Sequence, residues 1–272
     1  MNDRPAVLTV GIGGFGAIGL ALARKLDAGI EGLRLVAVSA RDRERARAVV
    51  SGFANKIDVT DLAGLAVADV VVEAAPAAVF DDVAIPAIDA GRIFVPSSVG
   101  ALLTRMALIE RARASGARIV VPTGALLGLD AVRACAEGEV ESVSIETRKA
   151  PRGLVGAPYL TANNIDVLSI TQPTIIFEGN AFDAAAGFPA NVNVAAALAL
   201  AGIGPQRTIV RIWCDPGVDR NIHTIRVEAA AARLTMTVEN VPSESNPRTG
   251  KLTPLSVLAC LRGLVSTLKV GS

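Results

Sequence analysis

The run Thr9-Val10-Gly11-Ile12-Gly13-Gly14-Phe15-Gly16-Ala17-Ile18-Gly19 places five glycines in eleven residues, directly after an apolar segment. Gly11-Ile12-Gly13-Gly14-Phe15-Gly16 fits the spacing G-x-G-x-x-G. It follows a strand-like run and opens a helix-like one, which is the context in which that spacing holds a dinucleotide. On this register Gly11 allows the tight turn, Gly13 lets a pyrophosphate approach backbone that carries no Cβ, and Gly16 lets helix and strand pack closely. Phe15, Ala17 and Ile18 then lie where the helix start offers free N–H groups and partial positive charge to phosphate. The plain alternative is a glycine-rich turn that holds nothing.

The segments on either side give the loop a frame. The runs AVLTVGI, LRLVAVS, DVVVEAA, RIFVPSS and ARIVVPT are short, apolar and rich in Val or Ile, as strands covered on both faces must be. Helix-like stretches that end at Gly separate them. Strand–helix alternation of this kind predicts a doubly wound α/β sheet. After Pro122 the pattern changes. SVSIETRKA, TIVRIWCDP, NIHTIRVEA and RLTMTVEN alternate polar and apolar residues, and the last three read as consecutive antiparallel strands. The tail TPLSVLACLRGLVSTL is amphipathic and helical. The expectation is an α/β chain: a Rossmann-type doubly wound parallel sheet plus a second α+β domain with a mostly antiparallel sheet. Residues 1–122 form the dinucleotide-binding domain, with the C-terminal helix of 241–272 packing back on it. Residues 123–240 form a substrate and dimerisation domain.

Composition narrows the function classes. The chain has 272 residues, 51% hydrophobic and 19% charged, with a formal net charge of +1, so neither disorder nor a nucleic-acid or anionic-membrane surface is signalled. Aromatics at 3% also argue against base-stacking platforms. Cys135, Cys214 and Cys260 are far apart and form no C-x-x-C, so neither a disulfide framework nor a metal site is signalled. A reduced, cytoplasmic setting fits them best. No run reaches membrane-span length, and the N-terminus lacks the pattern of a signal peptide.

Cofactor choice is read at the end of the second strand, where NAD-binding domains place an acid against the adenosine ribose. This chain reads Val38-Ser39-Ala40-Arg41-Asp42-Arg43. The acidic slot falls on Ser39 or Ala40, and Asp42 substitutes only if the strand ends later. Without a carboxylate, a 2′-phosphate meets no repulsion; Arg41 and Arg43 can pair with it and Ser39 can donate to it. The cofactor is therefore NAD or NADP, with NADP accepted at least as well as NAD. The plain reading of Arg41 and Arg43 is a solvated helix start.

The second half holds the only histidine, His223, in DRNIHTIRV. Imidazole is the natural proton carrier near neutral pH. Its polar neighbours Arg220 and Asn221 fit a site. If the substrate is a dicarboxylate it needs cations or backbone donors, and Arg148, Lys149, Arg220 and Arg248 are the candidates, because guanidinium suits a carboxylate. Each also reads as a solvated surface charge. Backbone N–H groups around Thr123-Gly124-Ala125 are further anion ligands.

The segments VGIGGFGAIG, DVVVEAAP, SSVGALL, VPTGALLGLDA, ETRKAP, FPANVNVAAALALAGIG, DPGVDRNIH and NPRTGKLTPLSVLACL together resemble the L-aspartate dehydrogenases, over more than about 200 residues. That resemblance implies NAD(P)-dependent oxidative deamination of L-aspartate, through iminoaspartate to oxaloacetate and ammonia, or the reverse amination. An alternative outcome in that family is release of iminoaspartate into pyridine nucleotide biosynthesis, and the resemblance also implies a homodimer. Carried over by motif, the catalytic histidine is His223, and Ala125 and Asn193 contact the cofactor. The departure from the family pattern is Ala40, where members commonly carry the ribose-binding acid. A semialdehyde dehydrogenase would need a nucleophilic cysteine, which PTGALLGLD lacks; Cys135 reads as packing. A cyclic-imine reductase shares the same chemistry. A dinucleotide-sensing regulator would need no proton carrier.

Overall fold

The computed structural model describes residues 7–126, 128–243 and 250–271. The chain forms two compact units. One comprises Met1–Ser98, Arg105–Pro122 and Pro254–Val270; the other comprises Val99–Thr104, Thr123–Thr253 and Gly271–Ser272.

The first unit is built on a sheet of β1 (Leu8–Gly13), β2 (Leu33–Ser39), β3 (Asp58–Thr60), β4 (Val70–Glu73), β5 (Ile93–Pro96) and β6 (Arg118–Ile119), in spatial order β3-β2-β1-β4-β5-β6. Every pairing is parallel. The chain order reverses between β1 and its neighbours β2 and β4, the arrangement that opens a ligand crevice at the carboxyl ends of the strands. Edge strand β3 is short and polar, and carries no apolar run by which a sequence reading could find it. The helices of this unit are α1 (Ala17–Asp27), α2 (Arg43–Val50), α3 (Phe80–Asp89) and α5 (Ala107–Ser115), with α10 (Leu252–Val265) closing it. The core joins Val10, Ile12, Leu22, Leu33, Val70 and Val72 to Val257 and Leu261 of α10. Fully burying each such side chain contributes about 1.5–3 kcal/mol.

In the second unit β7 (Val140–Lys149), β8 (Thr174–Asn180), β9 (Thr208–Cys214), β10 (Asn221–Ala229) and β11 (Arg233–Asn240) form one sheet in the order β11-β10-β7-β9-β8. Three of its pairings are antiparallel and one, β7 with β9, is parallel. The expected antiparallel succession of β9, β10 and β11 therefore holds only for β10 and β11, because β7 lies between β9 and β10. Period-2 alternation reports which face of a strand is buried, not which strand lies beside it. The buried face carries Val143 and Ile145, Val210 and Ile212, and Ile225 and Val227. Helix α9 (Asn193–Ala201), whose residues Val194–Ala199 are all buried, packs on β9 and on α6 (Leu129–Ala136). Helices α4 (Val99–Leu103), α7 (Pro158–Ala162) and α8 (Ala181–Gly187) complete this unit. Among the described residues no helix is long and apolar enough to cross a membrane.

Candidate active site

The glycine turn works on a register three residues later than the spacing alone suggests. Gly11 and Gly13 are strand residues inside β1. A Cβ on Gly11 would meet Leu65 O at 3.1 Å, and one on Gly13 would meet Leu65 Cδ1 at 3.1 Å and Val83 Cγ2 at 3.2 Å. At both positions α3 or the segment before β4 leaves little room for a Cβ, and the tight turn expected at Gly11 does not fall there, since the residue lies within β1. The turn itself falls on Gly14, at φ +95°, where a Cβ would collide with Ala74 O. Close helix–strand packing falls on Gly19, where a Cβ would collide with Gly14 O. Gly16 is the N-cap of α1, and a Cβ there would meet no described atom within 4 Å.

That open space lies at the start of an eleven-residue helix whose N-cap makes no side-chain hydrogen bond and whose first turn holds no acid. The N–H groups of Ala17, Ile18 and Gly19 have no acceptor within the helix. This surround fits a dinucleotide pyrophosphate. Phe15 and Ile18 are half-buried, with their side chains packed against the core.

At the ribose end, β2 stops at Ser39, whose carbonyl accepts from Gly14 N at 2.9 Å. Ser39 is buried and Arg41 exposed. Asp42 is taken as the N-cap of α2, accepting from Arg45 N at 2.9 Å. Among the described residues Arg41 has no ion-pair partner.

In the second unit, the buried face of the sheet turns from apolar to polar at one end. Along β7 the inward positions read Val143, Ile145, Thr147, Lys149; along β10 they read Val227, Ile225, His223, Asn221. His223 is 3% exposed and its Nδ1 lies 3.0 Å from Thr147 Oγ1, its register partner. Asn221 falls one position beyond the Ile222–Arg148 pair, opposite Lys149. Lys149 is 4% exposed and donates from Nζ to Asn191 Oδ1 at 2.8 Å. Burial holds its pKa down at about 8. Burial, helped by the Lys149 charge, pushes the His223 ring down to about 3, so it rests neutral.

Other second-unit residues meet this end of the sheet. Asn240, register partner of Asn221, donates from Nδ2 to Ala125 O at 3.0 Å, which ties the turn around Gly124 (φ +65°) to β11. Asn193 opens α9 and its Oδ1 accepts from Gly100 N at 3.0 Å, leaving its amide NH2 to other partners.

Strand parity removes Arg148 from this group. It faces the opposite side of β7, 3.3 Å from Asp215 Oδ2 and with its guanidinium 4.2 Å from the centre of the Trp213 ring. Arg220 is exposed before β10. Arg248 lies outside the described residues. Cys135 is buried late in α6, as packing. Sequence reasoning does not single out Thr147, Asn191 or Asn240. The signal that could find them is polar residues at inward positions of period-2 strands, where burial demands partners.

Two family profiles match the chain: aspartate dehydrogenase, C-terminal, over residues 130–264, and homoserine dehydrogenase, NAD binding domain, over residues 14–122. An L-aspartate dehydrogenase of Bradyrhizobium diazoefficiens is 50% identical over 100% of this chain and 98% of its own length. One from Methanocella arvoryzae is 44% identical, covering 97% of this chain and 99% of that protein. The crystal structure of aspartate dehydrogenase from Thermotoga maritima superposes with a TM-score of 0.72 at 26% identity, over 97% of this chain and 99% of that one. Relatives of this identity and coverage, together with a parallel sheet that carries a nicotinamide-dinucleotide turn, assign the chain: it is an oxidoreductase enzyme and belongs to the L-aspartate dehydrogenase family.

Proposed function

We propose that this enzyme catalyses the NAD(P)-dependent oxidative deamination of L-aspartate, through iminoaspartate to oxaloacetate and ammonia, and the reverse amination. The observation that supports it most is the pairing of a buried neutral imidazole with a buried ammonium on one sheet face. A lysine has three N–H donors. Among the described residues Lys149 uses one, on Asn191. A buried cation with unused donors is costly unless an anion joins it, and a substrate carboxylate is such an anion. Asn221, opposite Lys149, is a second donor to the substrate.

The bound nicotinamide supplies the acceptor for the hydride that leaves the substrate α-carbon. His223 takes the proton of the water that adds to the resulting imine, and returns a proton to the departing ammonia. The base role requires Nδ1–H to donate to Thr147 Oγ1, so that the Nε2 lone pair is free. Burial is the main cause that depresses the ring; a dicarboxylate against Lys149 offsets the smaller one, the Lys149 charge, and moves His223 upward.

The backbone from Gly14 to Gly19 is the pyrophosphate seat in this reading, and Ala125 and Asn193 are further cofactor contacts. The absence of an acid at Ala40 supports use of NADP at least equal to that of NAD, with Arg41 and Ser39 meeting the 2′-phosphate. The homodimer is part of the same reading, and light scattering on the purified enzyme tests it. The deciding experiment follows reduced-cofactor absorbance with L-aspartate and close analogues, using NAD and NADP separately. Turnover with L-aspartate well above its analogues supports the reaction; a strong preference for NAD overturns the cofactor assignment, and turnover of a cyclic amine in place of aspartate overturns the substrate.

A further inference from the structure

The run Val70-Val71-Val72 of β4 ends in Glu73, a carboxyl that is 0% exposed. Its Oε1 accepts from Ala75 N at 3.0 Å and from Ser98 Oγ at 3.1 Å, and its Oε2 accepts from Ser98 N at 2.9 Å. One side chain thereby ties the turn after β4 to the turn after β5. Backbone bonds complete the tie: Ala74 N donates to Gly13 O at 2.7 Å, and Ser97 N donates to Glu73 O at 2.8 Å.

No cation accompanies this carboxyl among the described residues. Its register partners are Gly13 on β1 and Pro96 on β5, and the adjoining turns contribute Ala74, Ala75, Ser97 and Ser98. On α3, Asp81 is paired with Arg105 and Asp82 is exposed. Burial raises the carboxyl to about 7, against the four hydrogen bonds, from Ser98 N and Oγ, Ala75 N and Ser97 N, that lower it. Ser97 Oγ, in the turn after β5, is buried without a hydrogen-bond partner among the described residues. A structural latch needs no charge at this point, and an apolar turn needs no orphan hydroxyl. Both fit a polar ligand arriving at this end of the sheet.

The position says which part of a dinucleotide arrives. In a sheet of this order the adenosine half lies over β1 to β3 and the nicotinamide half over β4 to β6, on either side of the switch point. Glu73 ends the first strand of the nicotinamide half, beside the glycine turn. We propose that Glu73 is a positioning residue that locks the two turns seating the nicotinamide, and that its carboxylate makes the enzyme hold the oxidised dinucleotide, whose ring is cationic, in preference to the reduced one, whose ring is neutral. The proposal rests on the cofactor reading above.

The test is binding, not turnover. Dissociation constants for the oxidised and reduced forms of one cofactor are measured by calorimetry on the full chain, from about pH 5.5 to about pH 7.5, a window that stays below the titration of Lys149, for the wild type and Glu73→Gln. The pyrophosphate does not titrate in this range, and a 2′-phosphate affects both redox forms alike. In the wild type the ratio of reduced to oxidised dissociation constants rises roughly 3- to 10-fold as pH passes through the carboxyl's titration. In Glu73→Gln the ratio stays flat at its low-pH value. A wild-type ratio that does not change with pH overturns the proposal without any variant. So does a Glu73→Gln variant that weakens both forms equally, since that is a latch without a charge role. Failure of either dinucleotide to bind at any pH overturns the cofactor reading itself.

Discussion

Thr147 and His223 are register partners on β7 and β10, and their side chains meet at 3.0 Å on the buried face of the sheet. Both strands are held on both sides by ladder bonds, so the contact is set by backbone that has little freedom to move. In the proposed base role the hydroxyl accepts from Nδ1–H and so holds the ring in one tautomer. Thr147→Val removes that hold and keeps the volume. It is expected to lower kcat about tenfold with unchanged cofactor affinity, and Thr147→Ser should restore most of the rate. A Val variant with wild-type kcat would show that the hydroxyl does not orient the ring.

Replacing the ring itself should cost more. A positioned acid–base group contributes about 10²–10⁴-fold, so His223→Gln is expected to lose that factor in kcat while the dissociation constant of the reduced cofactor survives. The same variant has a stability signature. The folded ring's pKa lies at about 3, below its ordinary value of 6.5. Between those values the unfolded chain binds more protons, so this group's contribution is fully present above about pH 6.5 and is lost as pH falls toward 3. The melting temperature of wild type should fall more steeply with acidification across that window than that of His223→Gln.

How much of this can be read from the chain is decided by what local pattern encodes. The central strands of the first unit are legible because they are buried on both faces, and a short continuous run of Val and Ile bounded by turns is what such burial demands. Edge strand β3 is not, since Asp58-Val59-Thr60 has no such run. The glycine run announces a dinucleotide turn, but its spacing permits two registers. Only the collisions a Cβ would make at Gly14 and Gly19 choose between them. His223 stands out by being alone. Lys149 is visible as one cation among several, and strand parity, which the alternation in SVSIETRKA already carries, separates it from Arg148. Asn191 and Glu73 gain their meaning from long-range partners that no local window contains.

Lys149 yields a pH prediction that does not depend on catalysis. Its folded pKa is depressed to about 8, so it is cationic below that and neutral above. Succinate carries two carboxylates and no amine, so its own charge is constant above neutral pH. Its inhibition constant should be flat from about pH 6.5 to about pH 7.5 and rise toward tenfold per pH unit well above 8. Lys149→Met should weaken succinate roughly 10- to 100-fold at neutral pH and abolish the rise. A succinate constant indifferent to both pH and this substitution would place the carboxylate site elsewhere.

The glycine register makes its prediction through opposite effects on stability and binding. Gly16→Ala adds a Cβ into space that no described residue fills. The fold should therefore keep its melting temperature, while the methyl occupies the pyrophosphate's approach and weakens cofactor binding about tenfold or more. Gly14→Ala must hold φ near +95° and collide with Ala74 O, and Gly19→Ala must collide with Gly14 O. Alanine within a helix is ordinarily about 1 kcal/mol better than glycine, so a loss at Gly19 cannot come from propensity. Each of these two variants should lose about 2 kcal/mol or more of stability by denaturant melts. Gly11→Ala and Gly13→Ala meet their neighbours at 3.1 Å and should cost less. If Gly13→Ala rather than Gly16→Ala selectively abolished binding in a stable protein, the earlier register would be the working one.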